Sequence, residues 1–186
     1  MMENKRKRTF KRVRAISTLM ATILMIVVTL VAGLAVMGYT LGWFRTTQVA
    51  TLDASQTRVY VDLGTGKGMI LMTIKNTGTG DARIANIEIF GETTAKITFA
   101  AGPKPTIAWG TKTLDGNLTG STGVGLDPSN NLVIPAGGQV SLRFNFDGST
   151  NKITDIFNVG VRYRAVINPP AGGGATTDFT ITPEGY

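Results

Sequence analysis

Residues 15–44 read AISTLMATILMIVVTLVAGLAVMGYTLGWF, thirty consecutive residues without a charged side chain. At a rise of about 1.5 Å per residue, a helix of this length spans about 45 Å, whereas about 20 apolar residues cross a bilayer core. The apolar positions circle the whole helix instead of forming one stripe, so it must be covered on every side, by lipid or by other helices. The rest of the 186-residue chain is too short to wrap it as the central helix of a globular domain.

The flank on its N-terminal side fixes the orientation. Lys5, Arg6, Lys7, Arg8, Lys11, Arg12 and Arg14 stand against one acid, Glu3, a net of +6 in fourteen residues. The remaining 172 residues hold 12 basic and 11 acidic side chains, so the overall charge of +7 belongs to a short leader. A nucleic-acid partner is not expected, because no basic surface extends beyond that leader. Lys and Arg beside a span stay on the cytoplasmic side, which puts residues 1–14 inside and everything after residue 44 outside. Tyr39 and Trp43 fall near the outer end, where amphipathic rings favour the interface. The competing reading is an ordinary secretory signal cut after Gly33-Leu34-Ala35. It is weakened by the apolar residues that continue through Leu41, Trp43 and Phe44.

Composition narrows the chemistry. The chain has no Cys and no His, so disulfides, thiolate metal sites and Ser-His-Asp or Cys-His nucleophile systems are excluded. No catalytic constellation points to an enzyme, and no cofactor is expected.

The junction Lys11-Arg12-Val13-Arg14-Ala15, followed by Ile16-Ser17-Thr18-Leu19-Met20-Ala21-Thr22-Ile23-Leu24-Met25, resembles the N-terminus of an archaeal type IV pilin precursor with its class III signal peptide. The resemblance implies that a prepilin peptidase cuts before the helix, between Ala15 and Ile16, with Arg14 as the preceding basic residue. Cleavage one residue earlier is the alternative. It further implies an assembly ATPase and a membrane platform protein during biogenesis, and self-association into a helical homopolymer. The likeness is specific over about residues 11–44. One position departs from bacterial relatives, which usually carry Glu at the fifth mature residue; here it is Met20. Archaeal members often lack that acid. Subunit register must then come from side-chain packing.

The helix suits packing. Association inside lipid is driven by close contacts between small residues, since lipid tails are as apolar as Leu. Ala32, Gly33, Ala35, Gly38 and Gly42 give the outer half a small-residue texture, and 38–42 matches GxxxG. Gly33, Gly38 and Gly42 are the expected helix-packing positions. Thr18, Thr22 and Thr29 can return their hydroxyls to carbonyls one turn back, which explains them without a pore or ligand.

Beyond the span the periodicity changes. Residues 45–56 contain no Gly or Pro and are expected to continue the helix, giving a leader at 1–15, a helix at 16–56 and a head at 57–186. The head reads as β-rich, with strands at 58–62, 69–75, 83–90, 96–100, 131–134, 140–146, 158–168 and 178–182, separated by Gly, Asn, Asp or Pro clusters. Alternation is clean in Val140, Leu142, Phe144 and Phe146, and needs an irregularity among Ile84, Ile87 and Ile89. The fold class expected is α+β, a long N-terminal hydrophobic helix followed by an all-β immunoglobulin-like sandwich. The phrases at 76–81, NTGTGD, and 134–138, IPAGG, resemble archaeal pilin heads.

Apparent sites in the head dissolve on inspection. Residues 64–68, GTGKG, lack the GxxxxGK[ST] spacing of a phosphate loop and suit a hairpin turn. The Asp127 segment offers oxygens, but its twelfth position is Gly138, where an EF-hand needs Glu. Arg162, Tyr163 and Arg164 read as exposed and buried alternation. Asn117-Leu118-Thr119 is the sole N-x-[ST] sequon, and Asn117 is the candidate N-glycosylation site in an outward loop. Residues 104–130, with Lys104, Trp109 and many Gly and Thr, are expected to form the outer surface that contacts other cells or surfaces.

Three functions follow from different classes. The first is a membrane precursor that becomes an extracellular adhesive pilus, the second an archaellin of a motility filament, and the third a monomeric membrane-anchored binding module.

Overall fold

The structure, a computed structural model, describes residues 3–40, 49–100, 102, 104–172 and 175–186. The chain divides into two compact units, 1–47 and 48–186.

The first unit contains one helix, α1, Glu3–Thr40. It holds no proline and only two glycines, Gly33 and Gly38, so nothing in it removes a backbone donor. Its Ile, Val and Thr content would weaken a helix in water. Hydrocarbon reverses that preference, because every backbone polar group must then bond within the segment. Thr22 Oγ1 donates to the Leu19 carbonyl at 2.8 Å, and Thr29 Oγ1 to those of Met25 and Ile26 at 3.0 and 2.9 Å. These hydroxyls close on their own helix, as the sequence suggests. The segment Thr18–Tyr39, 22 residues with mean hydropathy 2.7, is long and apolar enough to cross a bilayer.

The second unit is built from strands. In chain order they are β1 (Leu52–Asp53), β2 (Arg58–Val61), β3 (Lys67–Asn76), β4 (Ala82–Ile84), β5 (Asn86–Phe90), β6 (Thr94–Phe99), β7 (Pro105–Trp109) and β8 (Lys112–Asp115). There follow β9 (Asn117–Gly120), β10 (Gly125–Leu126), β11 (Leu132–Ile134), β12 (Gln139–Asp147), β13 (Tyr163–Asn168), β14 (Thr177–Ile181) and β15 (Glu184–Gly185). One large sheet has the order β15-β2-β3-β12-β9, with β1 also on β3; the other has β14-β13-β5-β6-β7-β8. A small sheet runs β10-β11-β4. Pairing is antiparallel except for β15 on β2. One apolar helix followed by a mostly β region is an α+β arrangement.

Strands β3 and β12 form the spine of the first sheet, paired from Gln139↔Lys75 to Asp147↔Lys67. Along β12, Val140, Leu142, Phe144 and Phe146 are buried while the residues between them are not. Along β3, Gly68, Ile70, Met72, Ile74 and Asn76 are buried. The second sheet sends Ile87, Ile89, Ile97 and Ile107 into the same apolar cluster. Each fully buried Ile, Leu or Phe contributes about 1.5–3 kcal/mol relative to exposure. A head with such a core has its own reason to fold.

The structure corrects four expectations. Residues 49–51 are not helical and β1 begins at Leu52, so the head starts before residue 57; the 41–48 part of the expected helix lies outside the described residues. The expected strand at 83–90 is two strands in different sheets. Ala85 separates them, and this one extra residue shifts burial from Ala82 and Ile84 to Ile87 and Ile89, which is the irregularity seen in the sequence. The expected strand at 158–168 begins only at Tyr163, because Gly160 adopts φ 77° in the turn before it. Residues 104–130, where no strand was expected, contain β7, β8, β9 and β10.

Candidate functional site

Leucine, isoleucine, valine and methionine side chains of α1 are exposed on every side of the helix, among them Leu24 at 68%, Met25 at 71% and Val36 at 64%. About 22 residues of helix span about 33 Å, close to the about 30 Å of a hydrocarbon core. Apart from Gly38, the described residues of Thr18–Tyr39 are exposed, and this extended apolar surface is the defining physical property of the unit. Arg14, Ala15 and Ile16 lie in continuous helical backbone, so α1 runs through the expected cleavage point. Gly33 is exposed, with open space where a Cβ would stand, and Gly38 is buried. Gly42 and Trp43 lie outside the described residues.

The head surface is organised by short acidic turns. Asp62 caps the β2–β3 hairpin, taking Thr65 Oγ1 at 2.5 Å and the Gly64 N–H at 2.9 Å. The Thr65 hydroxyl, then that N–H, hold its carboxyl below the usual carboxylate range. Asp127 accepts the side chain and N–H of Asn131 and the N–H of Ser129, and is lowered chiefly by the Asn131 side chain. Asp147 takes the N–H groups of Asn151 and Ser149, with Asn151 the larger cause of its lowered pKa. In each turn an ionised carboxylate occupies the place of a backbone acceptor. Residues 64–66 and 127–131 therefore serve as turns, with Lys67 and Gly68 already in β3, and phosphate or calcium chemistry is not needed to explain them.

Two polar clusters went unread in the sequence. Asn76 is fully buried; its Nδ2 donates to the carbonyls of Gly80 at 2.7 Å and Ile134 at 3.0 Å, and its Oδ1 accepts from the Gly78 N–H at 3.0 Å. It locks the β3–β4 turn to β11. Tyr163 Oη accepts the Asn158 N–H at 2.8 Å, while Glu92 Oε1 accepts from Asn158 Nδ2 at 3.0 Å. Only the isolated polar residue at the end of a strongly apolar strand hinted at the first. Residue spacing could not have found the second, since Glu92 and Tyr163 lie on distant segments.

Surface grooves are open and mixed. One, about 570 Å³, is lined by Val49, Leu52, Arg83, Ile167, Pro169 and Asp178 among others. Another of about 550 Å³ is rimmed by Arg58 and Glu184 and lined by Thr57, Thr73 and Thr180. Arg58 and Glu184 are 3.7 Å apart, and Lys112 Nζ meets Asp155 at 2.6 Å. The exposed Arg58–Glu184 pair contributes about 0–1 kcal/mol, whereas the Lys112–Asp155 pair is half-buried. Among the described residues no three His, Cys, Asp or Glu side chains converge as a metal site.

The chain matches no family model and no curated protein.

Of the residues singled out in the sequence, Asn117 is exposed as expected but sits on β9, a strand and not a loop. Trp109, expected on the outer surface, is 3% exposed and packs against Phe146 with ring centroids 5.4 Å apart. Lys104 is exposed. Arg164 is exposed beside buried Tyr163, the alternation anticipated there.

Proposed function

We propose that the chain is the precursor of an archaeal type IV pilin, the structural subunit of an extracellular adhesive filament. The observation that carries this reading is α1: its apolar segment Thr18–Tyr39 has side chains exposed all round, its N-terminal part is the +6 leader, and a separate β unit follows. Before assembly, lipid covers that surface, with the leader inside and the head outside. After a peptidase removes residues 1–15, equivalent helices of other copies cover it. Buried apolar contact of about 1,000 Å² per subunit at about 25 cal/mol per Å² amounts to about 25 kcal/mol before association costs. Such a polymer is hard to dissolve.

Cleavage also changes the cost of extraction. Each charge drawn into hydrocarbon costs about 2.5–3.5 kcal/mol on insertion scales. Replacing the leader by one terminal ammonium lowers the barrier to lifting that end out of the interface. An assembly ATPase and a platform protein supply the work, and the heads form the outer sheath. We read the head as an immunoglobulin-like sandwich, supported by two large sheets that turn apolar faces into one cluster.

N-terminal sequencing of protein from producing cells is expected to begin at Ile16. An intact leader points instead to a membrane-anchored module, and a start after Ala35 to ordinary secretion. Electron microscopy of sheared surface material is expected to show filaments. A deletion strain that stops swimming would identify an archaellin.

A further inference from the structure

Asn117 and Thr119 stand two apart on β9, so they share one face, and both are exposed while Leu118 between them is half-buried. The neighbouring strand β12 places Arg143 opposite Asn117 and Ser141 opposite Thr119. Among the described residues no strand pairs with the other side of β9, which ends its sheet. Asn117 thus combines an extended backbone, an accessible amide and an accessible hydroxyl at the required spacing.

The edge itself supplies a second, independent observation. Exposed edge strands template unwanted pairing, and proteins block them with charge, Pro or brevity. Among the described residues, β14 carries Asp178, β8 carries Lys112 and Asp115, β4 carries Arg83, β1 carries Asp53 and β15 carries Glu184. Strand β10 is uncharged but has two residues. Strand β9, four residues long, reads Asn-Leu-Thr-Gly and has no charge and no Pro. The sole sequon of the chain falls on the one edge strand longer than two residues that lacks a blocking side chain.

We propose that Asn117 carries an N-linked oligosaccharide, which shields the β9 edge. This rests on the outward orientation of the head. The donor is a lipid-phosphate-linked oligosaccharide on the outer membrane face. The Asn117 Nδ2 attacks the anomeric carbon, a C–N bond forms, the C–O bond to the lipid phosphate breaks, the amide proton goes to a base of the transferase, and the phosphate leaves on the lipid.

Peptide mapping of full-length protein from cells that make it naturally tests this, because one digest reads both the leader and Asn117. Sugar mass on the Asn117 peptide is expected, lost in Asn117→Gln and Thr119→Ala and retained in Thr119→Ser, which keeps the sequon. A bare Asn117 with residues 1–15 removed overturns the glycan and leaves the outward reading standing. A bare Asn117 with the leader intact overturns both the glycan and the pilin reading. The shielding role has its own readout: detergent-solubilised Thr119→Ala protein is expected to form higher oligomers on size exclusion, and Thr119→Lys, equally sugar-free but charged, to resist this. Equal behaviour of the two overturns the edge role.

Discussion

Replacing Asn76 by Ala tests whether the buried amide is what closes the head. Three side-chain hydrogen bonds disappear: two to the carbonyls of Gly80 and Ile134 and one from the Gly78 N–H. Each is worth about 1 kcal/mol net, and a buried group left unpaired adds a desolvation cost of about 1–3 kcal/mol. Gly80 and Ile134 are themselves buried, so water cannot readily replace the lost donors. The expected loss is about 4 kcal/mol, a large share of the about 5–15 kcal/mol typical of a domain. Trp109, 3% exposed, is the sole tryptophan of residues 48–186 and reports unfolding by fluorescence. With a urea slope of about 2 kcal/mol per M, the midpoint of this unit should fall by about 2 M. Asn76→Asp separates hydrogen bonding from shape. At neutral pH its carboxylate faces two carbonyls, so its folded-state pKa is raised and its deficit shrinks as pH falls toward that of a protonated acid. A midpoint shift below about 0.5 M for Asn76→Ala would refute the reasoning.

Gly68→Ala should lower head stability by about 2 kcal/mol or more, because its Cβ would collide with the Tyr60 carbonyl oxygen and lie 2.7 Å from Ile153; an unchanged urea midpoint would count against that packing. The carboxyls of Asp53, Asp62, Asp127, Asp147 and Asp155 are all held low in the folded head. The unfolded chain therefore takes up their protons first: the stabilisation is fully present above the unfolded value of about 3.9 and is lost as pH falls through the depressed folded values. Urea midpoints measured from pH 7 to 2 should stay flat and then fall below about pH 4, and a midpoint that rises there contradicts these turns. In α1, Leu24→Lys should cost about 2.5–3.5 kcal/mol of insertion in a translocation assay, while Thr22→Ala should stay within about 0.5 kcal/mol.

The helix was legible because charge, length and all-round apolar character agree from residue 15 to 40. The strand β12 was legible because alternation and burial coincide at Val140, Leu142, Phe144 and Phe146. Strands β8 and β9 were not. They bury no side chain completely, and their Gly and Thr content satisfies a loop as well as an edge. The split at Ala85 announced itself only as a phase error, since two strands in different sheets leave the same local composition as one bulged strand. Asn76 was hidden for another reason: NTG reads as a turn, and only the approach of Ile134 from far along the chain turns its amide into a clasp.

The segment that joins the head to the preceding chain also determines how the head answers tension. Val49 O receives the N–H groups of Thr79 and Gly80 at 2.9 and 3.3 Å, Thr51 O receives that of Thr77 at 2.8 Å, and Leu52 and Asp53 pair with Asn76 and Lys75. A pull applied through residue 49 is therefore met first by this row of bonds, which ties the segment to the end of β3 and to the turn after it. Tension would thus fall on a few main-chain bonds before it reaches the core, which this segment enters at Leu52 and Ala54.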